Sequence, residues 1–235
     1  MGYEPTLSVI TASFEIMVAM WALSGPGRRT IVRPASTILF LLAIYQILEV
    51  IICAGSSASA FLPQLAFINV TWLPPMGILL AAQLYPPEFR TGIRYARAMF
   101  VVAFAFSVWI ALHREFAVDP VCQVVFARYS HPTTAYLVYS AYYWVGLAGM
   151  ILLSAYNVAT NPDEHQRRLS LQLLAGALAF IIPSLGTSWF IGMPDGAFAS
   201  VMCHYALLLA VFLTRLLYHE RHRTAITSES VHQSG

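Results

Sequence analysis

The sequence predicts an all-α, polytopic membrane protein, a seven-transmembrane-helix bundle with its N-terminus outside and its C-terminus inside. Three observations carry this. Of 235 residues, 58% are hydrophobic and 10% charged, against roughly 25% charged in soluble domains. Seven apolar runs approach or reach the roughly 20 residues that cross a bilayer core as helix. The arginines fall mostly on one side of those runs.

The runs cover about 6–24, 35–54, 64–86, 97–113, 133–156, 169–191 and 197–218. Breakers and charges separate them, as in "SGPGRRTIVRP", "PPEFRTGIRYAR" and "NPDEHQRR". With the N-terminus outside, the inner segments hold Arg28, Arg29, Arg33, Arg90, Arg94, Arg97, Arg167, Arg168, Arg215, Arg221 and Arg223. The outer segments hold only Arg114 and Arg128. Eleven against two follows the positive-inside rule. The chain therefore divides into one membrane domain, 1–223, and a polar cytoplasmic tail, 224–235, whose composition predicts no regular structure.

Composition also excludes classes. All thirteen basic residues are arginine; without a lysine amine no retinal Schiff base can form. The three cysteines are too few for a disulfide scaffold, and none forms a CxxC pair. Cys53 and Cys122 both fall at the outer face, where oxidation persists, so a disulfide closing the long 114–132 loop over the bundle is an expectation. The N-terminus lacks the basic region of a cleaved signal peptide, and "MGYEPT" is a poor myristoylation signal. No GxSxG, HExxH or P-loop motif is present, so no catalysis is expected. Nothing suggests nucleic-acid binding.

The polar residues inside the runs are the informative ones. In "LLAIYQILEVIIC" (41–53), Gln46 and Glu49 sit three apart and Tyr45 and Glu49 four apart, so all three share a helix face. A charge at mid-bilayer costs on the order of 3 kcal/mol, so that face must point inward. Helix direction puts Asn69, Thr71 and Trp72 of the third span in the outer half. It does the same for Thr187 and Trp189 of the sixth and for Cys203 and His204 of the seventh. Tyr136, Tyr139 and Tyr143 form a stripe on the fifth, and Glu15 of the first lies deeper. The inner half reads as nearly all Leu, Ala, Val and Phe. Pro74-Pro75 and Pro183 each remove backbone donors and favour kinks, which fits a cavity at that depth.

Tyr45, Gln46, Glu49, Asn69, Trp72, Tyr139, Tyr143 and His204 are therefore the candidate ligand-binding set: apolar walls with a few convergent polar groups. Blander readings stand beside it. Glu49 can be interhelical glue bonded to Gln46 or Asn69, His204 a satisfied bundle histidine, and the tyrosine stripe packing or interfacial belt. The "HERH" at His219 and His222 has a spacing that could hold a metal, but a lipid-phosphate-facing helix end explains it more simply.

Three segments carry a resemblance. They are "LAIYQILEV" in the second span, "LAFINVTWLPPMGILLAAQLY" in the third, and "DEHQRRLSLQLLAGALAFIIPSLG" leading into the sixth. Together they resemble the seven-helix N-terminal sensor modules of bacterial histidine kinases. That resemblance implies a sensor of the bacterial cytoplasmic (inner) membrane that binds a small amphipathic or lipidic molecule and signals through an attached domain. This chain departs from the pattern by stopping after the seventh span, so output would pass through a separate effector chain. Two other readings remain open. One is an accessory subunit of a larger membrane complex, holding pigment or lipid. The other is a proton-linked transporter using Glu15 and Glu49.

Overall fold

The computed structural model describes residues 3–54, 61–85, 90–123, 127–190 and 198–233. The helices are α1 (Thr6–Ser24), α2 (Arg29–Ala54), α3 (Leu62–Thr71), α4 (Leu73–Gln83), α5 (Arg90–Leu112), α6 (Thr133–Thr160), α7 (Glu164–Phe190) and α8 (Phe198–Gln233). Strands β1 (Val118–Cys122) and β2 (Ala127–Ser130) lie between α5 and α6. With α3 and α4 forming one span, the described residues contain seven helical segments long and apolar enough to cross a membrane. The sequence limits at 86, 191 and 197 lie outside the described residues.

α2 packs against α1, α3, α4 and α8, while the third span packs against α2, α5 and α6. These two form the centre: 67% of the third span's apolar window is buried, against 22% for α5, which lies on the periphery. The α7–α8 and α1–α8 contacts close the bundle.

The third span breaks at Trp72 because Pro74 and Pro75 follow it. Both fall in the first turn of α4, where a missing N–H costs least. Pro75 has no N–H to give the Thr71 carbonyl four residues back. Tyr142 Oη donates to that carbonyl instead, at 2.7 Å, so a side chain of α6 replaces the lost helix bond. Pro183 lies within a continuous α7.

α2 begins six residues before the sequence limit and carries Pro34 inside it. The carbonyl that Pro34 leaves without a helix donor belongs to Thr30, an exposed residue that water can reach. The turn is fixed from outside: Glu220 Oε1 accepts from the Arg28 N–H at 3.1 Å and from Arg28 Nε at 2.6 Å. A carboxylate there also suits the helix N-terminus. α7 is capped by the preceding Asp163, whose Oδ1 accepts from the His165 N–H at 2.8 Å. At the other limit, α8 continues to Gln233. The expectation of an irregular tail from 224 is thus corrected: the helix propagates from a formed span, so no new nucleus is needed.

The all-α expectation also needs one correction, because β1 and β2 pair antiparallel within the long loop. The register is irregular between Val118 and Val121, where Asp119 takes φ 49° and Pro120 follows. Aspartate tolerates that conformation, and proline is accommodated at bulges and edges.

Candidate functional site

The hairpin is fastened to the bundle at several points, and the fastenings centre on α2. Cys53 and Cys122 form a disulfide between α2 and β1. One turn earlier on α2, Glu49 is 1% exposed. Its Oε2 accepts from Ser200 Oγ of α8 at 2.5 Å, and its Oε1 accepts from Tyr3 Oη at 3.2 Å. Ser200 Oγ in turn accepts from the Ala127 N–H of β2 at 2.9 Å. Burial pushes the Tyr3 hydroxyl up to about 12, which keeps it a donor. One carboxyl thus joins the N-terminal segment, α2, α8 and, through Ser200, the hairpin.

Beneath the hairpin lies an aromatic plug. The Phe67 ring meets Phe116, Tyr129, His131 and Tyr139 edge-on, with centroids 4.9–5.9 Å away. Such T-shaped pairs add roughly 0.5–1.5 kcal/mol each beyond burial. His131 stacks on Tyr136 at 4.3 Å, and its Nδ1 lies 2.6 Å from the Phe116 carbonyl, which fixes Nδ1 as the protonated nitrogen. Burial pushes this imidazole below its ordinary value, partly offset by that carbonyl.

The eight candidate residues do not share one cavity. Tyr139 and Tyr143 line an apolar space of about 40 Å³ between α2, α3, α6, α7 and α8. A second space of about 30 Å³ adjoins it, walled by Gly77, Gly146, Leu173 and Leu209 among others. Leu42, Leu73, Tyr143 and Phe180 line both. Gln46, Glu49 and His204 instead line a tightly closed cleft between α1, α2 and α8. Gln46 Nε2 donates to Glu15 Oε2 at 3.3 Å, and Asn69 Nδ2 donates to the Leu41 carbonyl at 2.6 Å. Neither bonds Glu49, contrary to the glue reading, which named them as its partners. Trp72 turns to Phe100 of α5, with centroids 6.2 Å apart. Tyr45 is fully buried beside Tyr129. His204 Nδ1 lies 2.9 Å from the Ser200 carbonyl of its own helix. The convergence fails for a geometric reason: depth along a helix is set by sequence, but azimuth changes by about 100° per residue.

The polar pattern also extends further than expected. At the opposite, arginine-rich end, Asn157 Nδ2 donates to the Leu84 carbonyl at 3.0 Å and to Ser170 Oγ at 2.5 Å. Asn161 Nδ2 donates to Asn157 Oδ1 at 2.7 Å. These side chains satisfy the end of α4 and tie α4, α6 and α7 together, so that half is not purely apolar. Ser200 was missed in the sequence, although it stands one turn from His204.

What the sites can do follows from their partners. Among the described residues, no three His, Cys, Asp or Glu side chains group to hold a metal. The "HERH" glutamate, Glu220, is instead buried against Arg28 and 3.2 Å from His165 Nε2. The Tyr143 hydroxyl, between the two apolar spaces, has no hydrogen-bond partner among the described residues. Trp144, 37% exposed, stands at the rim of the larger one.

No protein-family model matches the chain, and a search of curated proteins finds no match either.

Proposed function

We propose that this protein is a multi-pass, non-catalytic sensor-like module of a bacterial inner membrane that takes up a small amphipathic or lipidic molecule. The arginine asymmetry supports an orientation with the N-terminus and hairpin outside. The ligand's apolar part enters the seam between α2, α4, α6, α7 and α8, and its polar group meets Tyr143. The observation that carries this reading is the unpaired Tyr143 hydroxyl at the junction of two adjoining apolar spaces. Tyr143 is half-buried, and an acceptor on the ligand would gain a hydrogen bond worth roughly 0.5–1.5 kcal/mol there. Access from the bilayer is lateral, past Trp144. Uptake requires α4 and α6 to part.

Native mass spectrometry of the protein in mild detergent tests this. A retained small molecule whose occupancy falls in Tyr143→Phe is the expected result. Loss of no ligand in Tyr143→Phe, or none retained, overturns it. A second reading, an accessory subunit of a membrane complex, is favoured by the size of the spaces: 40 and 30 Å³ fall far below the roughly 300–1,000 Å³ of common ligand clefts. Co-purification of a multi-subunit assembly with no small molecule would select it. A proton-linked carrier gains no support, because Glu15 and Glu49 bond different partners.

A further inference from the structure

At the arginine-rich end, α1 and α8 enclose an open groove of about 570 Å³, within the roughly 300–1,000 Å³ range of ligand clefts. Phe14, Met17, Val18 and Trp21 line its α1 side. Their i, i+3, i+4, i+7 spacing makes one apolar stripe. The α8 side carries Thr214, Arg215, Tyr218 and His219, and positions 215, 218 and 219 share a face. The groove is therefore apolar along α1 and cationic along α8. Trp21 and Tyr218, the residue types of a membrane–water boundary, mark where the two chemistries meet.

Arg215 is the decisive group. It is exposed and lies inside a segment apolar enough to cross a membrane. The described ion pairs are Arg28–Glu220, His165–Glu220, Arg168–Glu164 and Arg223–Asp163; Arg215 belongs to none of them. No carboxylate lines the groove. Glu220, the next residue after His219, is turned inward onto Arg28, and Glu15 of α1 is buried against Gln46. Arg221 lies over the Trp21 ring at 4.1 Å and donates to the Trp21 carbonyl, fixing the wall next to the headgroup level. An unpaired arginine at that level needs an anion, and the bilayer supplies one.

We propose that the α1–α8 groove binds one anionic phospholipid of the adjacent leaflet. An acyl chain lies along Phe14, Met17 and Val18, and the phosphate accepts hydrogen bonds from Arg215. The guanidinium suits that phosphate through two parallel N–H donors. This depends on the spans lying in a bilayer, and not on the ligand reading at Tyr143.

The test is native mass spectrometry of the whole protein in uncharged detergent. It is titrated with phosphatidylglycerol, with phosphatidylcholine of the same chains, and with glycerol phosphate as the headgroup without chains. One phosphatidylglycerol adduct should form in preference to phosphatidylcholine. Arg215→Gln should weaken it by about fivefold, the order expected for one basic side chain against anionic lipid. Arg215→Lys should keep much of it, and Arg97→Gln, on peripheral α5, should leave it unchanged. Equal retention of phosphatidylcholine overturns the proposal in the unmodified protein, as does equal binding of glycerol phosphate. An unaffected Arg215→Gln, or a loss in Arg97→Gln as large as in Arg215→Gln, overturns it as well.

Discussion

Ser200 Oγ donates to Glu49 Oε2 at 2.5 Å while accepting from the Ala127 N–H at 2.9 Å, so a single hydroxyl couples a buried carboxyl on α2 to the backbone of the hairpin. Removing it leaves two buried polar groups short of a partner at once. Ser200→Ala should therefore cost about 2 kcal/mol or more, given roughly 1–3 kcal/mol for each orphaned group. Thermal unfolding in detergent reads the loss. Limited proteolysis should show cleavage near the hairpin rising first; an unchanged melting point and digestion pattern would refute the coupling.

Reducing the Cys53–Cys122 bond should loosen the hairpin without dismantling the bundle. The bond spans 69 residues of sequence, and losing such a link costs roughly 2–4 kcal/mol. The packing of Phe116 and of the hairpin's own Tyr129 on Phe67 does not depend on that bond. Hydrogen exchange should accelerate in β1 and β2 of the Cys53→Ala/Cys122→Ala protein while α2 and α8 stay protected.

The α4–α6 contact depends on small residues. A methyl group at Gly146 would meet the ring and the backbone of Pro74, neither of which can yield. One at Gly77 would meet the flexible Met150 side chain. Gly146→Ala should thus destabilise by about 1–3 kcal/mol, and Gly77→Ala by clearly less. Equal losses from the two variants would contradict the packing described.

Acidification should weaken the cap through His131. Burial lowers its folded value below the ordinary 6.5, so the unfolded state binds the proton more readily. Stability is then full above pH 6.5, declines as pH falls through it, and levels off below the folded value. His131→Phe should flatten this part of the profile, even though it loses the bond to Phe116. Melting temperatures between pH 5 and 8 decide the matter; an equally steep profile in His131→Phe would assign the effect elsewhere.

The seven apolar segments were legible because length and hydropathy report directly on burial, and Pro74-Pro75 marked the break at Trp72. The hairpin was not. "VDPVC" and "ARYS" are too short and irregular to announce strands, and they pair because Ser200, Cys53 and the Phe67 plug hold them together. The candidate site was half legible for a similar reason. The spacing of Gln46 and Glu49 gave a common face, yet that face meets two neighbours: Gln46 reaches Glu15 on α1 and Glu49 reaches Ser200 on α8. Which helix stands opposite is a tertiary fact.

The 151 residues between Glu49 and Ser200 also impose an order on biosynthesis. A chain made from its N-terminus completes Glu49 roughly 8–30 s before Ser200, at about 5–20 residues per second. Tyr3, only 46 residues earlier, already exists by then and can chaperone the carboxyl through the interval. α8 then arrives as a keystone: it supplies the second hydroxyl, receives the hairpin, and locks a half-built protein in which the Glu49 carboxyl was short of a partner until that moment.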